Sequence, residues 1–501
     1  MNNIDNYNQF LKCKDRHLAI KHAVEALTQF REESCCVKRN YVRNIYDFLT
    51  LTEDDSAVKR EAQKINLSHI RQWESLHDSF ISTRRPADLT VCYLSGPEPL
   101  NDYSEFVNLG ILPQNIWALE IDKDTYSTAI GETIIKGYPA PRVIRQNIEG
   151  FIEHTPKKFD IIYLDACGCI PSKQHVLRCV EKICEYQRIE SPGVIISNIS
   201  EPDEKDHAKY EKLIVNYLFF RKYADVTDTI ENLQDKEQYK ELLDQYDYDF
   251  KLLYGEFISC ILRDLPSVMI PMKRMIENDY FKQLLAENEA TLKTYSTDQL
   301  FAMSKRSSIP QFVYFCEKTD LIQNDEKCKE FFNETVPFEV LLKACKIETL
   351  MRNDLLKYPT NMMTSQQLVD ERKIFQFLDK PHNNLFIDIA INQLTYPLHY
   401  VISQNTRYLY RAKIKWMYTD VNIYDECRYI YEWMPSLNQL KIVHNDPSIQ
   451  YIFRFALDGL VKQREAYNNE FFYQGAVVSG NRNDEFGIKK LNERINLNNR
   501  R

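Results

Sequence analysis

The chain has 501 residues, 44% of them apolar and 27% charged, and a formal net charge of −8, and this length leaves room for two to four domains of roughly 150 residues each. The sequence lacks an apolar run of about 18 residues, which argues against a membrane helix, and its polar beginning lacks the apolar core of a signal peptide. Thirteen scattered cysteines without a regular framework predict reduced thiols in a cytoplasmic protein, while the negative charge excludes a uniformly basic surface but not a local basic patch.

Glycine is scarce and unevenly distributed along the chain. Seven of the 12 glycines lie between residues 96 and 193, and none lies between 256 and 458. Because glycine marks positive-φ turns and close approach of the backbone to a ligand, the region 96–193 is predicted to be rich in turns and suited to ligand binding. The rest of the chain is predicted to be mostly helical.

Residues 1–84 are predicted to form a helical N-terminal region. Apolar residues recur at helical spacing from His17 to Phe30 and again within 42–49. Pro86 then interrupts the chain before the next element.

Between residues 85 and 205 the pattern changes to short apolar strands that alternate with helices. The predicted strands are Thr90–Ser95, Ile116–Ile121, Arg142–Arg145, Asp160–Leu164 and Val194–Ser197. The predicted helices run from Asp102, as N-cap, to Leu109 with Gly110 following it, from Asp124 to Gly137, and from Ser172 to Arg188. This alternation predicts an α/β fold with a doubly wound, mainly parallel, Rossmann-like sheet.

The rest of the chain is predicted to flank this domain. Residues 206–395 favour a mostly helical region, 396–480 a smaller mixed α/β region, and 481–501 a flexible polar tail. The helical flanks offer surfaces for a protein partner, and no membrane partner is expected.

The residues that follow the first two predicted strands are candidates for binding a cofactor. In an open parallel sheet, ligands bind at the carboxyl ends of the strands, where the strand order reverses. Ser95, Gly96 and Glu98 follow the first strand, and Glu120 and Asp122 end the second. Glu120 comes 24 residues after Gly96, close to the spacing of about 20 residues at which an acidic side chain binds ribose hydroxyls.

Two further loops complete the candidate site. Asn147 and Ile148 follow the third strand, where an amide can read an adenine edge and an aliphatic side chain can pack on its face. Asp165 follows the fourth strand, at the mouth of the site, and is the candidate catalytic residue as a general base or a substrate-positioning group. We predict no metal site, although a carboxylate at this position can also bind a divalent cation.

These segments resemble the class I, Rossmann-like S-adenosylmethionine-dependent methyltransferases over about residues 85–205. The segments that carry the resemblance are LTVCYLSGPEP, IWALEID, VIRQNIEGF, FDIIYLDACG and SPGVIISNIS. The resemblance implies S-adenosylmethionine as cofactor, with Glu120 at the ribose-binding position and Asp165 on the substrate side.

The sequence departs from this family in three places, one of which is Asn147, where an acidic residue is common. Gly96 stands alone, between Ser95 and Pro97, where the family has two or three glycines, and the Asn/Asp-Pro-Pro-Tyr run of enzymes that methylate base amino groups is absent. Methylation of an exocyclic base amine is therefore disfavoured. The G-x-G-x-x-G fingerprint of nicotinamide cofactors is also absent, which favours the methyl donor over NAD.

Cysteines near Asp165 allow two further interpretations. Cys167 or Cys169 can act as a nucleophile if its pKa is lowered, and the two can form a zinc site with His175 and Cys179. The usual zinc pair C-x-x-C is absent, and buried, unreactive thiols are the favoured interpretation.

A basic, aromatic segment follows in the C-terminal part of the chain. Residues 406–418 alternate as one predicted strand, with Tyr408, Tyr410, Ala412, Ile414 and Trp416 on one side. The opposite side carries Arg407, Arg411, Lys413 and Lys415. These four cations are candidates for binding a nucleic-acid backbone; the alternatives are a half-buried strand with a solvated basic face, which is favoured, and a protein interface.

Two classes of function are therefore predicted. The first is an S-adenosylmethionine-dependent methyltransferase acting on nucleic acid, or on protein as the next choice. The second is a catalytically inactive, methyltransferase-like binding or scaffold subunit of a multi-protein complex, for example in antiviral defence, by analogy of fold alone.

Overall fold

A computed structural model gives the fold of most of the chain. The described residues are 10–51, 57–136, 142–166, 168–172, 176–222, 235–296, 299–300, 326, 338–352, 395, 397–433, 447–463 and 491–499.

Within these residues, nine strands join into one sheet. The strands are β1 Val91–Leu94, β2 Ile116–Glu120, β3 Arg142–Arg145, β4 Phe159–Leu164, β5 Ile189–Ser200, β6 His399–Tyr400, β7 Thr406–Ala412, β8 Lys415–Asp425 and β9 Ile495–Asn496. Their order is β3-β2-β1-β4-β5-β8-β7-β9, and β6 pairs with β8 beside β7. The five predicted strands are all present, and the central ones are buried, as their continuous apolar runs require.

The strand order reverses between β1 and β4. Strands β1 to β5 are all parallel, and their order 3-2-1-4-5 is that of the doubly wound, Rossmann-like sheet. The predicted fold class is therefore confirmed. The chain leaves β1 on one side and β4 on the other, so a crevice opens between the carboxyl ends of these two strands.

Strand β5 is longer than the predicted Val194–Ser197. It extends to Ser200 because it pairs with a strand on each side, β4 in parallel and β8 in antiparallel orientation. Strand β8 then pairs with β7, so the C-terminal strands complete the same sheet instead of forming a second one.

The single strand predicted over residues 406–418 is wrong. Strands β7 and β8 are joined by a two-residue turn at Lys413 and Ile414, and Lys413 has a φ of 33°. Two-residue turns need positive φ and usually contain glycine or asparagine, so this turn has no signal in the sequence. The turn also reverses the alternation: Ala412 pairs with Lys415 and therefore shares its face of the sheet.

Helices surround the sheet on both faces and extend from its edge. They are α1 Phe10–Leu27, α2 Tyr41–Leu51, α3 Ala57–Ala62, α4 Leu67–Phe80, α5 Leu100–Asn108, α6 Lys123–Lys136, α7 Ile148–His154, α8 Val176–Glu185, α9 His207–Lys222, α10 Glu237–Gln245, α11 Phe250–Asp264, α12 Ile270–Glu277, α13 Asp279–Glu287, α14 Glu289–Leu292, α15 Phe338–Arg352, α16 Arg428–Tyr431 and α17 Pro447–Val461. A five-residue π-helix, Leu265–Met269, joins α11 to α12. Among the described residues, no helix is both long enough and apolar enough to cross a bilayer.

Helix α1 connects the N-terminal region to the sheet. It packs against β5, β7 and β8, with a buried face that includes Ala19, Ile20, Ala23 and Leu27. The spacing of these residues is helical, as the sequence predicted. Helix α1 therefore covers the antiparallel side of the sheet and brings its first turns to the carboxyl ends of the strands.

Candidate functional site

Gly96 lies where strand β1 opens into the crevice. It has a φ of +57°, and a Cβ atom placed on it would have no neighbour within 4 Å. Residues with a side chain rarely adopt this backbone conformation. The Ser95 amide just before it donates to the Leu119 carbonyl at 3.0 Å, which ties this loop to the end of β2. The backbone at Gly96 is therefore exposed to an open space at the carboxyl end of the sheet.

Glu120 is adjacent to this loop. Leu94 of β1 is in register with Leu119 of β2, so the next residues, Ser95 and Glu120, end neighbouring strands. The Glu120 side chain is half-buried, and its Oε1 atom accepts from the Asp122 amide at 2.9 Å. No described residue donates a hydrogen bond to the Oε2 atom of Glu120. The structure therefore brings Gly96 and Glu120 to the same edge of the sheet.

Two of the predicted binding residues are helix caps. Asp122 precedes α6, and its Oδ1 atom accepts from the Thr125 amide at 2.8 Å; the hydrogen bonds from Thr125 lower the pKa of this exposed carboxyl group. Asn147 is the N-cap of α7, with its Oδ1 atom 2.8 Å from the Glu149 amide. Asp and Asn are common at N-caps, so helix capping could have been predicted for both residues from the sequence.

The other two predicted binding residues differ in exposure. Glu98 is exposed, and its carboxylate accepts from Asn101 Nδ2 at 2.8 Å. Ile148 is buried in the first turn of α7. Glu98 is therefore accessible on the Gly96 loop, whereas most of the Ile148 side chain is already packed against the protein.

Asp165 follows β4 and is held by two side chains that the sequence analysis missed. Its Oδ2 atom lies 2.9 Å from Lys12 Nζ of α1, and its Oδ1 atom accepts from Asn198 Nδ2 at 2.9 Å. The Asp165 side chain is only 11% exposed. The carboxylate is therefore oriented from both sides and neutralised by one cation.

A second ion pair from α1 lies across the mouth of the crevice. Arg16 Nε is 2.5 Å from Asp102 Oδ1, in the first turn of α5. Asp102 was predicted to be the N-cap of this helix, which is wrong: the cap position is Pro99, and Asp102 is buried against Arg16. Burial raises the pKa of Asp102 to about 6, and Arg16 opposes that rise.

Asn198 is the centre of a buried hydrogen-bond network. Besides Asp165, its Nδ2 atom donates to Tyr410 Oη at 3.0 Å, and its Oδ1 atom accepts from Thr419 Oγ1 at 3.3 Å. Thr419 lies 2.7 Å from Asp15 Oδ2 of α1. Burial raises the pKa of Asp15 to about 7, and its Oδ1 atom has no hydrogen-bond partner among the described residues.

A signal for these partners exists in the sequence but needs the fold to interpret it. Lys12 and Arg16 are four residues apart and so share one face of α1. Asn198 is the one amide side chain in β5, and it lies at the end of the strand, after the apolar run Val194–Ile196. Neither feature indicates which carboxylate it contacts.

A cavity of about 290 Å³ lies at the carboxyl ends of β4 and β5. Its wall includes Cys169 and Ser172 from the loop after β4, Asp203 and Asp206 from the segment after β5, and Lys415 at the start of β8. Lys415 Nζ is 2.7 Å from Asp203 Oδ1. All of these segments meet at the carboxyl ends of the strands, so the cavity and the crevice open on the same edge of the sheet.

The four predicted cations do not form one basic face. Arg407 is buried and pairs with Glu256, with 2.8 Å between Nη1 and Oε2. Lys415 lies on the other face of the β-hairpin from Arg407 and Arg411, because the turn reverses the alternation. Arg411 and Lys413 are exposed at the hairpin. A row of four cations on one strand is therefore a wrong prediction.

Among the described cysteines of this region, burial argues against an activated thiol at Cys179. Cys167 and His175 lie outside the described residues. Cys169 is half-buried, and burial raises the pKa of Cys179 to about 12. A thiol with a raised pKa is a poor nucleophile at neutral pH.

One buried group elsewhere has the composition of a metal site. It consists of Cys36, Asp425 and Cys427. The Asp425 carboxylate already accepts four hydrogen bonds, from the amides of Cys36 and Cys427 and from the hydroxyls of Ser191 and Tyr429. These bonds use the four lone-pair positions of a carboxylate, so the group needs no metal to be satisfied.

No protein-family model matches the sequence, and no curated protein matches it. Solved structures similar to the chain include an rRNA methylase from Streptococcus thermophilus, at 16% identity over 30% of this chain and 76% of that chain, with a TM-score of 0.19. An S-adenosylmethionine-dependent methyltransferase from Clostridium acetobutylicum matches at 19% identity over 35% of this chain and 61% of that chain, with a TM-score of 0.18. A methyltransferase from Podospora anserina bound to SAH matches at 12% identity over 46% of this chain and 81% of that chain, with a TM-score of 0.21.

These three proteins are a methylase and two methyltransferases by name. Their TM-scores are low, so the fold assignment rests on the strand order: the chain has a Rossmann-like α/β fold.

Proposed function

We propose that the crevice between β1 and β4 binds S-adenosylmethionine and that the chain is a methyltransferase. The observation that carries this proposal is that Gly96 and Glu120 lie at the ends of neighbouring strands, β1 and β2. Gly96, with its positive φ, faces open space at the end of β1, next to the point where the strand order reverses. Glu120 ends the neighbouring strand β2 and has one carboxylate oxygen available. This position is the usual ligand site of such sheets.

The residues present fit an adenosine-containing cofactor. The open space in front of Gly96 lets a ligand approach the backbone closely. The available oxygen of Glu120 can accept from a ribose hydroxyl, and charge-assisted hydrogen bonds of this kind are strong. Glu98 and Ser95 lie on the same loop. Asp122 and Asn147 contribute less, because each is engaged in capping a helix.

The bound cofactor would supply an electrophilic methyl group on a sulfonium ion. The protein's part is to position the acceptor and exclude water. Asp165 is oriented by Lys12 and Asn198 and can accept a proton from the acceptor or hold it in place. Helix α1 supplies both Lys12 and Arg16 and so closes one side of the site.

The first experiment is calorimetric titration with S-adenosylmethionine. Glu120→Ala is expected to weaken binding by about 10- to 100-fold, since hydrogen bonds to charged groups contribute about 1.5–3 kcal/mol. The control is Glu132→Ala on α6, where Glu132 pairs with Lys136 and does not face the crevice loops; its dissociation constant should stay within about twofold of the parent. Equal affinity of the Glu120→Ala variant and the parent would contradict the proposed binding mode.

A binding role without catalysis is the second candidate. Gly96 stands alone in a loop that Pro97 and Pro99 stiffen, so the cofactor can be held without a productive position for its methyl group. Transfer of radiolabelled methyl groups to RNA, DNA, protein and small-amine pools separates the two functions. Saturable binding that depends on Glu120, with no transfer to any pool, would favour the scaffold.

The structure weakens the argument for a nucleic-acid acceptor. Of the four cations expected to contact phosphates, Arg407 and Lys415 pair with carboxylates. Phosphate contacts dominate the affinity of nucleic-acid binding, and the remaining pair, Arg411 and Lys413, covers only the end of one hairpin.

A further inference from the structure

We infer that the cavity at the carboxyl ends of β4 and β5 binds a primary ammonium group and that this group belongs to the methyl acceptor. The binding site itself is argued from the cavity, whereas its role as acceptor site rests on the proposed methyltransferase function. The cavity lies between the loop after β4 and the segment after β5, at the edge of the sheet where Asp165 ends its strand.

The charge of the cavity wall favours a cation. Three charged side chains reach it: Asp203, Asp206 and Lys415. Lys415 is 2.7 Å from Asp203 and compensates its charge, which leaves the negative charge of Asp206. A phosphate or carboxylate ligand would be repelled by Asp206, and an ammonium group would be attracted by it.

Asp206 is also available to a ligand. Its side chain is half-buried, and no described residue donates a hydrogen bond to its carboxylate or forms an ion pair with it. Partial burial of an unpaired carboxylate is unfavourable, and a bound ammonium group would relieve that cost. The 3-10 turn Glu204–Asp206 and the start of α9 fix the position of this carboxylate.

The rest of the wall suits a compact ligand with a short apolar stem. Pro171 and Pro202 provide apolar surface, and the ring of Tyr210 lies in the wall as well. Lys209 Nζ lies 5.3 Å from the centre of this ring, so the ring serves as aromatic surface of the wall while the attraction for a ligand cation comes from Asp206. A volume of about 290 Å³ is at the small end of ligand sites, which span about 300–1,000 Å³.

The acceptor class that fits is a primary amine on a short aliphatic chain. Two sources have this chemistry, a free small amine and a lysine side chain of a peptide. In both, the ammonium would lie against Asp206, and Cys169 and Ser172, from the loop that follows Asp165, form another part of the wall.

The test uses three probes of similar length on the full chain: 1,4-diaminobutane, 1,4-butanediol and succinate. We expect the diamine to bind at least about 10-fold more tightly than the diol, a difference of about 1.4 kcal/mol, and succinate not to bind measurably. A peptide, acetyl-Gly-Lys-Gly-amide, distinguishes the sources: tighter binding than the diamine assigns the site to lysine side chains, and weaker binding assigns it to free amines.

Asp206→Asn is expected to remove the preference for the diamine over the diol. Glu204→Gln is the matched control, because Glu204 is an exposed carboxylate in the same turn that does not line the cavity. Lys415→Met should tighten diamine binding about threefold to 10-fold, since it removes the cation that pairs with Asp203. A gain in affinity cannot come from misfolding.

Equal binding of the diamine and the diol, tighter binding of succinate, or an unchanged preference in Asp206→Asn would overturn the inference. The result is independent of the cofactor titration. If the protein does not bind the cofactor but keeps a diamine preference that depends on Asp206, the methyltransferase is rejected and the ammonium site is kept. If it binds the cofactor but does not prefer the diamine, the ammonium site is rejected and the methyltransferase is kept.

Discussion

At the scale of single residues, the candidate catalytic aspartate depends on its neighbours. Asp165 is held by Lys12 from α1 and by Asn198 from β5, each at 2.9 Å. Asn198 is itself fixed by Tyr410 and Thr419. The orientation of the carboxylate is therefore set by residues from three separate parts of the chain.

Asn198→Leu keeps a similar volume and removes the hydrogen bond to Asp165. We expect kcat for methyl transfer to fall by about 10- to 100-fold, since a small displacement of a reacting group has effects of this size. The dissociation constant of S-adenosylmethionine should change less than about twofold, because Asn198 lies on the β4–β5 side of the sheet and Glu120 on the β2 side. A parallel loss of cofactor affinity and kcat would instead indicate general damage to the fold.

At the scale of elements, strand β5 contains an irregular segment that only one residue type fits. Ile189 pairs with Phe159 and Val194 pairs with Ile161, so the segment between them bulges from the ladder. A Cβ atom on Gly193 would lie 2.3 Å from the Glu190 carbonyl oxygen and 2.6 Å from Ile189 Cγ1. The backbone of the bulge can approach Gly193 this closely only because this residue has no side chain.

Gly193→Ala is expected to destabilise the protein by about 1–3 kcal/mol, because the backbone oxygen of Glu190 cannot move without breaking the bulge. The matched control is Gly131→Ala in the interior of α6, where a Cβ atom would meet nothing within 4 Å. This helical substitution should stabilise by about 0.5–1 kcal/mol. Thermal unfolding of the two variants should therefore shift in opposite directions, and equal shifts would contradict this account of the bulge.

At the scale of the whole molecule, a buried carboxylate of the N-terminal helix links stability to pH. Asp15 is buried between α1 and β8, and its pKa is raised to about 7 by burial; Thr419 and the nearby cations oppose this rise. The folded protein therefore holds a proton that the unfolded chain releases at its ordinary pKa. The contribution of this pKa shift to the free energy of unfolding is fully present below about pH 4 and is lost as the pH rises from about 4 to about 7.

Asp15→Asn removes this titration and keeps a side chain of the same shape. Relative to the parent, the variant should gain stability as the pH rises from 5 to 8, by an amount on the order of 2–4 kcal/mol if the full shift is realised. Thermal unfolding at several pH values measures the difference. A difference that is constant with pH, or that shrinks as the pH rises, would show that Asp15 is ionised in the folded protein throughout this range.

Much of the parallel sheet could be predicted from the sequence. The strands were correct to within one or two residues for β1 to β4, and Gly110 ends α5 with a φ of +92°, as its position after the helix indicated. Buried strands appear in the sequence as continuous apolar runs, and many helices are followed by a glycine, so both can be recognised from a short segment. The hairpin at Lys413 had no such signal and was missed.

The site was predictable only in outline. The placement of Gly96 and Glu120 on neighbouring strand ends follows from the strand–helix alternation, since parallel strands bring their carboxyl ends to one edge. The partners Lys12 and Arg16 come from a helix more than 80 residues away in sequence from the carboxylates they contact. An ion pair of that kind leaves no local pattern.

The α/β class, the five parallel strands and the candidate loops at their ends could be inferred from the sequence alone, because these depend on interactions within short segments; helix α7 was not predicted. The fold was needed to show which charges meet. It buried Arg407 against Glu256, joined Lys12 to Asp165, and left Asp206 facing a cavity. The physical reason is that the energy of a charge depends on its surroundings after folding, and distant parts of the chain supply those surroundings.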